Sequence, residues 1–89
     1  MKTIQRTSQF RKDVKRMGRR GVDFSIFKEI IRKLATGETL ETRYRDHRLV
    51  GQYKGTRECN IEPDWLLIYE ATEAELVLIR TGTHADLFR

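Results

Sequence analysis

The chain has 89 residues, and its 18 Lys and Arg against 13 Asp and Glu give a formal charge of +5. A chain of this length buries only about 60–70% of its unfolded surface, so we expect one domain over residues 1–89. Its longest apolar run, residues 65–69, is far shorter than the roughly 20 residues of a membrane span, and the N-terminus lacks the apolar stretch of a secretion signal. We therefore expect a cytoplasmic protein without a membrane partner.

The first half predicts a short strand at residues 2–6 and two amphipathic helices. Ser8 is a good N-cap for the first helix, which Gly18 and Gly21 end, and Asp23 is a candidate cap for the second, which Gly37 ends. Apolar residues recur at helical spacing and indicate core stripes: Phe10, Val14 and Met17, then Phe24, Phe27, Ile30, Ile31 and Leu34.

After residue 37 the apolar period shortens to two, which predicts strands at residues 49–54, 56–62, 65–70 and 75–81 joined by tight turns. Within the second of these, Cys59 and Ile61 fall on one face and Glu58 and Asn60 on the other. The predicted fold class is α+β in the order β-α-α-β-β-β-β, with a mainly antiparallel sheet. Both helices are expected to cover one face and leave the other open.

The positive charge is concentrated in two segments. Residues 1–20 hold eight basic side chains against Asp13, and residues 43–57 hold five against Asp46. If both segments converge on one face, they favour binding to a nucleic acid. A solvated face of an amphipathic helix explains the first segment equally well. The candidate RNA-binding residues are Arg11, Lys12, Lys15, Arg16, Arg19, Arg20, Arg45, Lys54 and Arg57.

The chain also contains acid–base groups suited to RNA cleavage, namely His47, Glu58, Asp64 and His84, with Arg80 as a cation. RNA supplies its own 2′-hydroxyl nucleophile, so neither a metal nor a cofactor is required. Histidine spacings typical of metal sites and nucleotide-binding glycine motifs are missing from the sequence, and the lone Cys59 is assigned to packing. Surface ion pairs near turns remain the alternative reading of these groups.

The second half resembles the YafQ-type toxins of the RelE superfamily of type II toxin–antitoxin systems. The segments that establish this resemblance are Asp46-His47, Leu49-x-Gly51, Lys54-Gly55, residues 57–69 (RECNIEPDWLLIY) and residues 80–88 (RTGTHADLF). The resemblance implies an endonuclease that depends on the ribosome, cleaves mRNA in the A site and is neutralised by a cognate antitoxin. A noncatalytic module that binds rRNA or an antitoxin is the alternative.

The resemblance also implies roles for individual residues. The active-site residues of the family fall on His47, Asp64, His84 and Phe88, and less specific matches fall on Arg80 and Glu58. Asn60 departs from the family, in which histidine is common at this position, and asparagine exchanges no proton near neutral pH. Either cleavage relies on His47, Asp64 and His84, or this copy is attenuated.

Overall fold

The computed structural model describes residues 1–88, which form five strands and three α-helices. The elements are β1 (Thr3–Arg6), α1 (Ser8–Arg19), α2 (Ser25–Ala35), β2 (His47–Arg48), β3 (Arg57–Glu62), β4 (Trp65–Ala71), β5 (Glu75–Gly82) and α3 (His84–Leu87). Short 3-10 turns lie at Thr42–Tyr44 and Gly51–Tyr53. The predicted α+β class and the predicted order of the first seven elements are confirmed.

The strands form one sheet in the order β1-β5-β4-β3-β2. β2 to β5 are an antiparallel meander, as predicted. Tight turns at residues 63–64 and 72–74 join the last three strands, whereas the longer segment 49–56 joins β2 to β3. β1 pairs in parallel with β5, with Thr3 opposite Glu75. The last strand of the chain therefore lies between the first strand and β4.

The main core lies between the two long helices and one face of the sheet. Phe27 stacks between Phe10 and Trp65, with ring centroids 6.1 and 5.3 Å away. The indole Nε1 of Trp65 donates to Thr81 Oγ1 at 2.9 Å, so its one polar atom is satisfied within the core. The helical stripes predicted from the sequence thus pack as expected, and Cys59 is fully buried in this core.

Two helix starts differ from the prediction by one or two residues. Thr7, not Ser8, is the N-cap of α1, since its backbone is extended and its Oγ1 accepts from the Phe10 N–H at 2.9 Å. Asp23 lies two residues before α2, where its carboxylate accepts from the Ser25 N–H and hydroxyl. Asp23 therefore fixes the approach to the helix without occupying the cap position.

The strand predicted at residues 49–54 is wrong. The paired segment is instead β2, two residues long, which is followed by a 3-10 turn. Gly51 and Gly55 have φ angles of 75° and 91°, in a region that extended strands do not use. Gly51 therefore turns the chain at the start of the 3-10 turn, and Gly55 turns it again before β3.

The period of two, from which the strand at residues 75–81 was predicted, does not hold throughout β5, because a bulge interrupts it. Tyr69 pairs with Leu78 whereas Ile68 pairs with Arg80, which leaves Ile79 as the extra residue. The predicted open face of the sheet is partly covered as well. There α3, which the sequence did not predict, places Leu87 against Leu66 and Ile68 in a second, smaller core.

Candidate active site

The second face of the sheet brings three predicted site residues into one row across four strands. His47 of β2 pairs with Glu58, Glu58 pairs with Ile68 of β4, and Ile68 pairs with Arg80 of β5. Residues directly opposite each other on neighbouring strands share a face and are separated by about 5 Å. Residues far apart in the chain, in positions 47, 58 and 80, therefore line one surface.

A histidine–carboxylate pair lies where α3 begins beside the β3–β4 turn. Asp64 Oδ1 is 2.8 Å from His84 Nδ1 and also accepts from the His84 backbone N–H at 3.0 Å. The backbone bond first, and the ring bond second, lower the pKa of Asp64. Because an ionised carboxylate only accepts, the hydrogen lies on Nδ1, and Nε2 of a neutral His84 is left with a lone pair. This geometry suits a general base.

The second histidine has a different hydrogen-bond arrangement. His47 Nδ1 lies 2.6 Å from the Arg45 carbonyl, which only accepts, so Nδ1 must donate. Its Nε2 lies 3.1 Å from Glu58 Oε2, and a hydrogen bond there requires a further proton on one of the two groups. Glu58 is buried, and its Oε1 finds no partner among residues 1–88. The arrangement suits a proton donor.

Arg80 follows the β5 bulge and is held on two sides. Its Nε and Nη2 donate to the two oxygens of Asp13 at 2.8 and 3.1 Å, and Nη1 donates to the Tyr53 hydroxyl at 3.3 Å. The hydrogen bond to Asp13 is the main cause that raises the pKa of Arg80. The guanidinium group therefore remains a fixed positive charge on the surface that Glu58 and Ile68 share.

Sequence reasoning missed Asp13 and Tyr53 as partners of Arg80. A signal for Asp13 was present, since positions 10, 13 and 17 share one face of a helix, and the two neighbours of Asp13 on that face are the core residues Phe10 and Met17. An acid on an apolar stripe implies a buried partner. No comparable signal marks Tyr53, which reaches the site through the unpredicted turn.

The segment that bears His84 and Phe88 is anchored to α1. Thr83 and Asp86 form a capping box around the start of α3, and Arg20 donates to both Asp86 oxygens at 2.7 and 3.0 Å. The Arg20 bonds are the main cause that holds the pKa of Asp86 well below its usual range. The Phe88 ring stands edge-on against Tyr53, with centroids 5.7 Å apart, and is 40% exposed.

Asn60 does not join either histidine pair. It lies two residues beyond Glu58 on the same face of β3, opposite Leu66, and its side chain makes no hydrogen bond to residues 1–88. It lines a shallow cavity together with Arg45, one of the predicted RNA-binding residues. Asn60 thus extends the candidate site toward a basic side chain, but it does not replace a proton-transfer group.

The nine predicted RNA-binding cations divide into two groups. Three are engaged within the molecule: Arg16 with Asp13, Arg20 with Asp86 and Arg57 with Asp46. The other six form no side-chain hydrogen bond or ion pair with residues 1–88: Arg11, Lys12, Lys15, Arg19, Arg45 and Lys54. RNA contact stays a prediction for all nine, and only these six have unengaged head groups.

Within the part of the chain that the structure describes, no three His, Cys, Asp or Glu side chains cluster in a way that would hold a metal ion. Burial raises the pKa of the Cys59 thiol to about 12, which removes it as a nucleophile or thiolate ligand. None of the helices described is long and apolar enough to cross a membrane.

A small α+β protein with this site matches a family model described as a bacterial toxin of type II toxin–antitoxin systems, over residues 2–89. Because that match spans nearly the whole chain, the chain belongs to this family of toxins, the YafQ family. The family predicted from the sequence is thereby confirmed.

Relatives agree in sequence and in structure. The chain is 42% identical over 86 residues to the mRNA interferase toxin YafQ of Escherichia coli K12, covering 96% of this chain and 94% of the relative. YafQ in the E. coli DinJ–YafQ toxin–antitoxin complex superposes with a TM-score of 0.92 and 40% identity, covering 99% and 98%. A copper-bound mutant toxin from Helicobacter pylori gives a TM-score of 0.93 and 38% identity, covering 99% and 100%.

Proposed function

We propose that this chain is an endoribonuclease toxin that cleaves mRNA in the ribosomal A site and is neutralised by a cognate antitoxin. The main support is the His84–Asp64 pair, which holds the exposed His84 ring through Nδ1 at the start of α3, the helix that packs on the sheet face bearing Arg80. The family membership and the mRNA interferase activity that names the E. coli relatives point the same way.

The proposed reaction is attack by the RNA 2′-oxygen on its adjacent phosphorus. His84 Nε2 takes the proton of the 2′-hydroxyl, while Asp64 holds the ring and stabilises the imidazolium that forms. The O2′–P bond forms as the P–O5′ bond breaks, giving a 2′,3′-cyclic phosphate and a 5′-hydroxyl. The His47–Glu58 pair supplies the proton for the 5′-oxygen. Arg80 stabilises the charge on the phosphorane.

The division between base and acid is testable with a substrate whose 5′-oxygen is replaced by sulfur. A thiolate leaves without protonation, so this substrate bypasses the general acid. We expect His47→Gln to lose about 100-fold or more in cleavage of the oxygen substrate and to recover most of it with the sulfur substrate. His84→Gln, whose amide accepts no proton near neutral pH, should be equally slow with both.

The first assay is primer extension on a reporter mRNA bound to ribosomes, with the unaltered chain and both glutamine variants. Cleavage at equal rates by all three would overturn the site assignment. Rescue of His84→Gln instead of His47→Gln by the sulfur substrate would exchange the two roles. Phe88→Leu should weaken cleavage while the fold remains intact, because we assign its exposed ring to stacking on a base.

The proposed antitoxin contact is a groove on the other side of the molecule, between α1 and α2. Its floor contains the partly buried side chains of Val14 and Ile31. Its rim is basic and forms no ion pair within residues 1–88: Arg6, Arg11, Lys15 and Lys28. An apolar floor with a cationic rim fits an acidic amphipathic helix better than a nucleic acid.

The groove is tested by Val14→Asp, which puts a charge into its floor. We expect weaker binding to the cognate antitoxin and unchanged cleavage of mRNA on ribosomes. Val14→Leu is the matched control and should leave both unchanged. Loss of cleavage together with intact antitoxin binding would instead identify the groove as a ribosomal RNA contact.

Asn60 favours a second candidate function, a noncatalytic module of the same fold that binds rRNA or the antitoxin. An asparagine at this position cannot exchange a proton. Ribosome binding that persists after replacement of both histidines, without cleavage by the unaltered chain or by Asn60→His, would favour this module. Cleavage by the unaltered chain would exclude it.

A further inference from the structure

Asp13 is a fully buried acid that the proposed reaction does not use. Its carboxylate accepts five hydrogen bonds: from Gln9 at 3.1 Å, Arg16 at 2.6 Å, the Thr81 N–H at 3.1 Å, and Arg80 at 2.8 and 3.1 Å. Burial by itself raises the pKa of Asp13, but the bonds from Arg80, Gln9 and Thr81 outweigh it and lower the pKa. The group is therefore a buried carboxylate anion.

The two bonds to Arg80 determine where its remaining donors lie. A guanidinium group has five N–H bonds in one plane. Nε and Nη2 each donate one to Asp13, and Nη1 donates one to the Tyr53 hydroxyl. The second N–H of Nη1 and that of Nη2 are left for another acceptor, and the plane that contains them is set by the two-point contact with Asp13.

We infer that Asp13 is a positioning residue that orients Arg80 toward the scissile phosphate; this inference rests on the proposed function. Stability alone does not account for such a pair, since a buried ion pair is commonly no more stabilising than an apolar replacement. The neighbouring bulge supports the assignment, because it puts Arg80 on the face of Glu58 while Thr81 turns back toward α1.

The kinetic test is a double-mutant cycle on ribosome-bound mRNA, with Asp13→Asn and Arg80→Ala alone and together. Misplacing a catalytic group by about 1 Å costs on the order of 100-fold, so Asp13→Asn should lower kcat by about 10- to 100-fold and change KM by less than about twofold. In the Arg80→Ala background the same substitution should change kcat by less than about twofold. Glu29→Gln, which neutralises an exposed α2 acid paired with Arg32, is the matched control.

A second measurement does not depend on cleavage. The Arg80 Nε–H resonance should be protected from solvent exchange in the unaltered chain, lose that protection in Asp13→Asn and partly regain it in Asp13→Glu. Protection of Arg57 Nε–H, which donates to Asp46, should not change and reports that the variant is folded. Unchanged Arg80 protection, or an equal fall of kcat in both backgrounds, would overturn the inference. If neither the unaltered chain nor any variant cleaves mRNA but Arg80 protection responds as expected, the proposed function is wrong, whereas the orientation of Arg80 by Asp13 is supported.

Discussion

Gly82→Ala should detach α3 from α1, because the space beside Gly82 is filled by Asp86. A Cβ built at position 82 lies 2.9 Å from Asp86 Oδ2 and 3.0 Å from Asp86 Cβ, against the 3.5–4.0 Å of ordinary carbon contacts. Asp86 cannot yield freely, since Oδ2 accepts from Arg20 and from the Thr83 N–H. Relief of the overlap therefore costs the cap of α3, about 1 kcal/mol, and the strained φ of 157° costs about 1–3 kcal/mol more.

Gly55→Ala separates these two contributions. Gly55 also has a positive φ, 91°, but a Cβ there meets no atom within 4 Å. We expect Gly82→Ala to lose about 1 kcal/mol more in unfolding free energy than Gly55→Ala, or about 4–8 °C in Tm. Cleavage should fall only in Gly82→Ala, since His84 moves with α3.

Urea unfolding measures the difference in unfolding free energy between the two variants, thermal melts measure the difference in Tm, and primer extension on ribosome-bound mRNA measures cleavage. Asp86→Gly removes the three atoms that lie nearest to the new Cβ, so in that background Gly82→Ala should cost no more than Gly55→Ala. Equal losses for the two alanine variants in the unaltered chain would refute the steric argument.

Three further predictions concern single side chains. Asn60→His should leave the fold unchanged and raise cleavage by primer extension if this copy is attenuated; equal cleavage by both chains would show that position 60 has no role in proton transfer. Cys59 is 0% exposed with a pKa raised to about 12, so a thiol reagent at pH 8 should modify it only after unfolding; rapid modification of the folded chain would contradict its burial. The pKa of Asp86 is lower in the folded than in the unfolded chain, so the stabilisation of the fold by the Asp86 carboxylate is complete above about pH 4–5 and is lost as the pH falls. The unfolding free energies of the unaltered chain and of Asp86→Asn should therefore converge in acid. A difference that stays constant with pH would count against the ion pair with Arg20.

The sequence predicted those parts of the fold that repeat. Helical and strand periodicity extend over many residues, so the core stripes on α1 and α2 and three of the four meander strands were found. The predictions for residues 49–54 and around Ile79 were wrong for a local reason. A single glycine with positive φ, or a single bulge residue, redirects the backbone while the pattern of apolar residues in the segment still resembles that of a regular strand. α3 was not predicted, because a helix of four residues is too short to show an apolar period, although its capping-box residues Thr83 and Asp86 have the spacing typical of a helix start.

The candidate site was predicted as a set of residue types and not as a geometry. The sequence singled out His47 and His84, but their different hydrogen-bond partners depend on which carbonyl and which carboxylate the fold brings to each ring. The place of Asp13 on an apolar stripe indicated a buried partner, but it could not identify that partner as Arg80, which lies 67 positions away. Contacts of this length are set by the pairing of β1 with β5, which no local pattern encodes.

The parallel pairing of β1 with β5 also has a consequence for how the toxin is made. Thr3–Arg6 are translated well before their partner Glu75–Leu78, because 72 positions separate Thr3 from Glu75. β5 also supplies Arg80 and leads into His84, so neither the core nor the site can close on a nascent chain that lacks it. A protein proposed to stop translation thus acquires its cleavage site only after β5 and α3 have been translated.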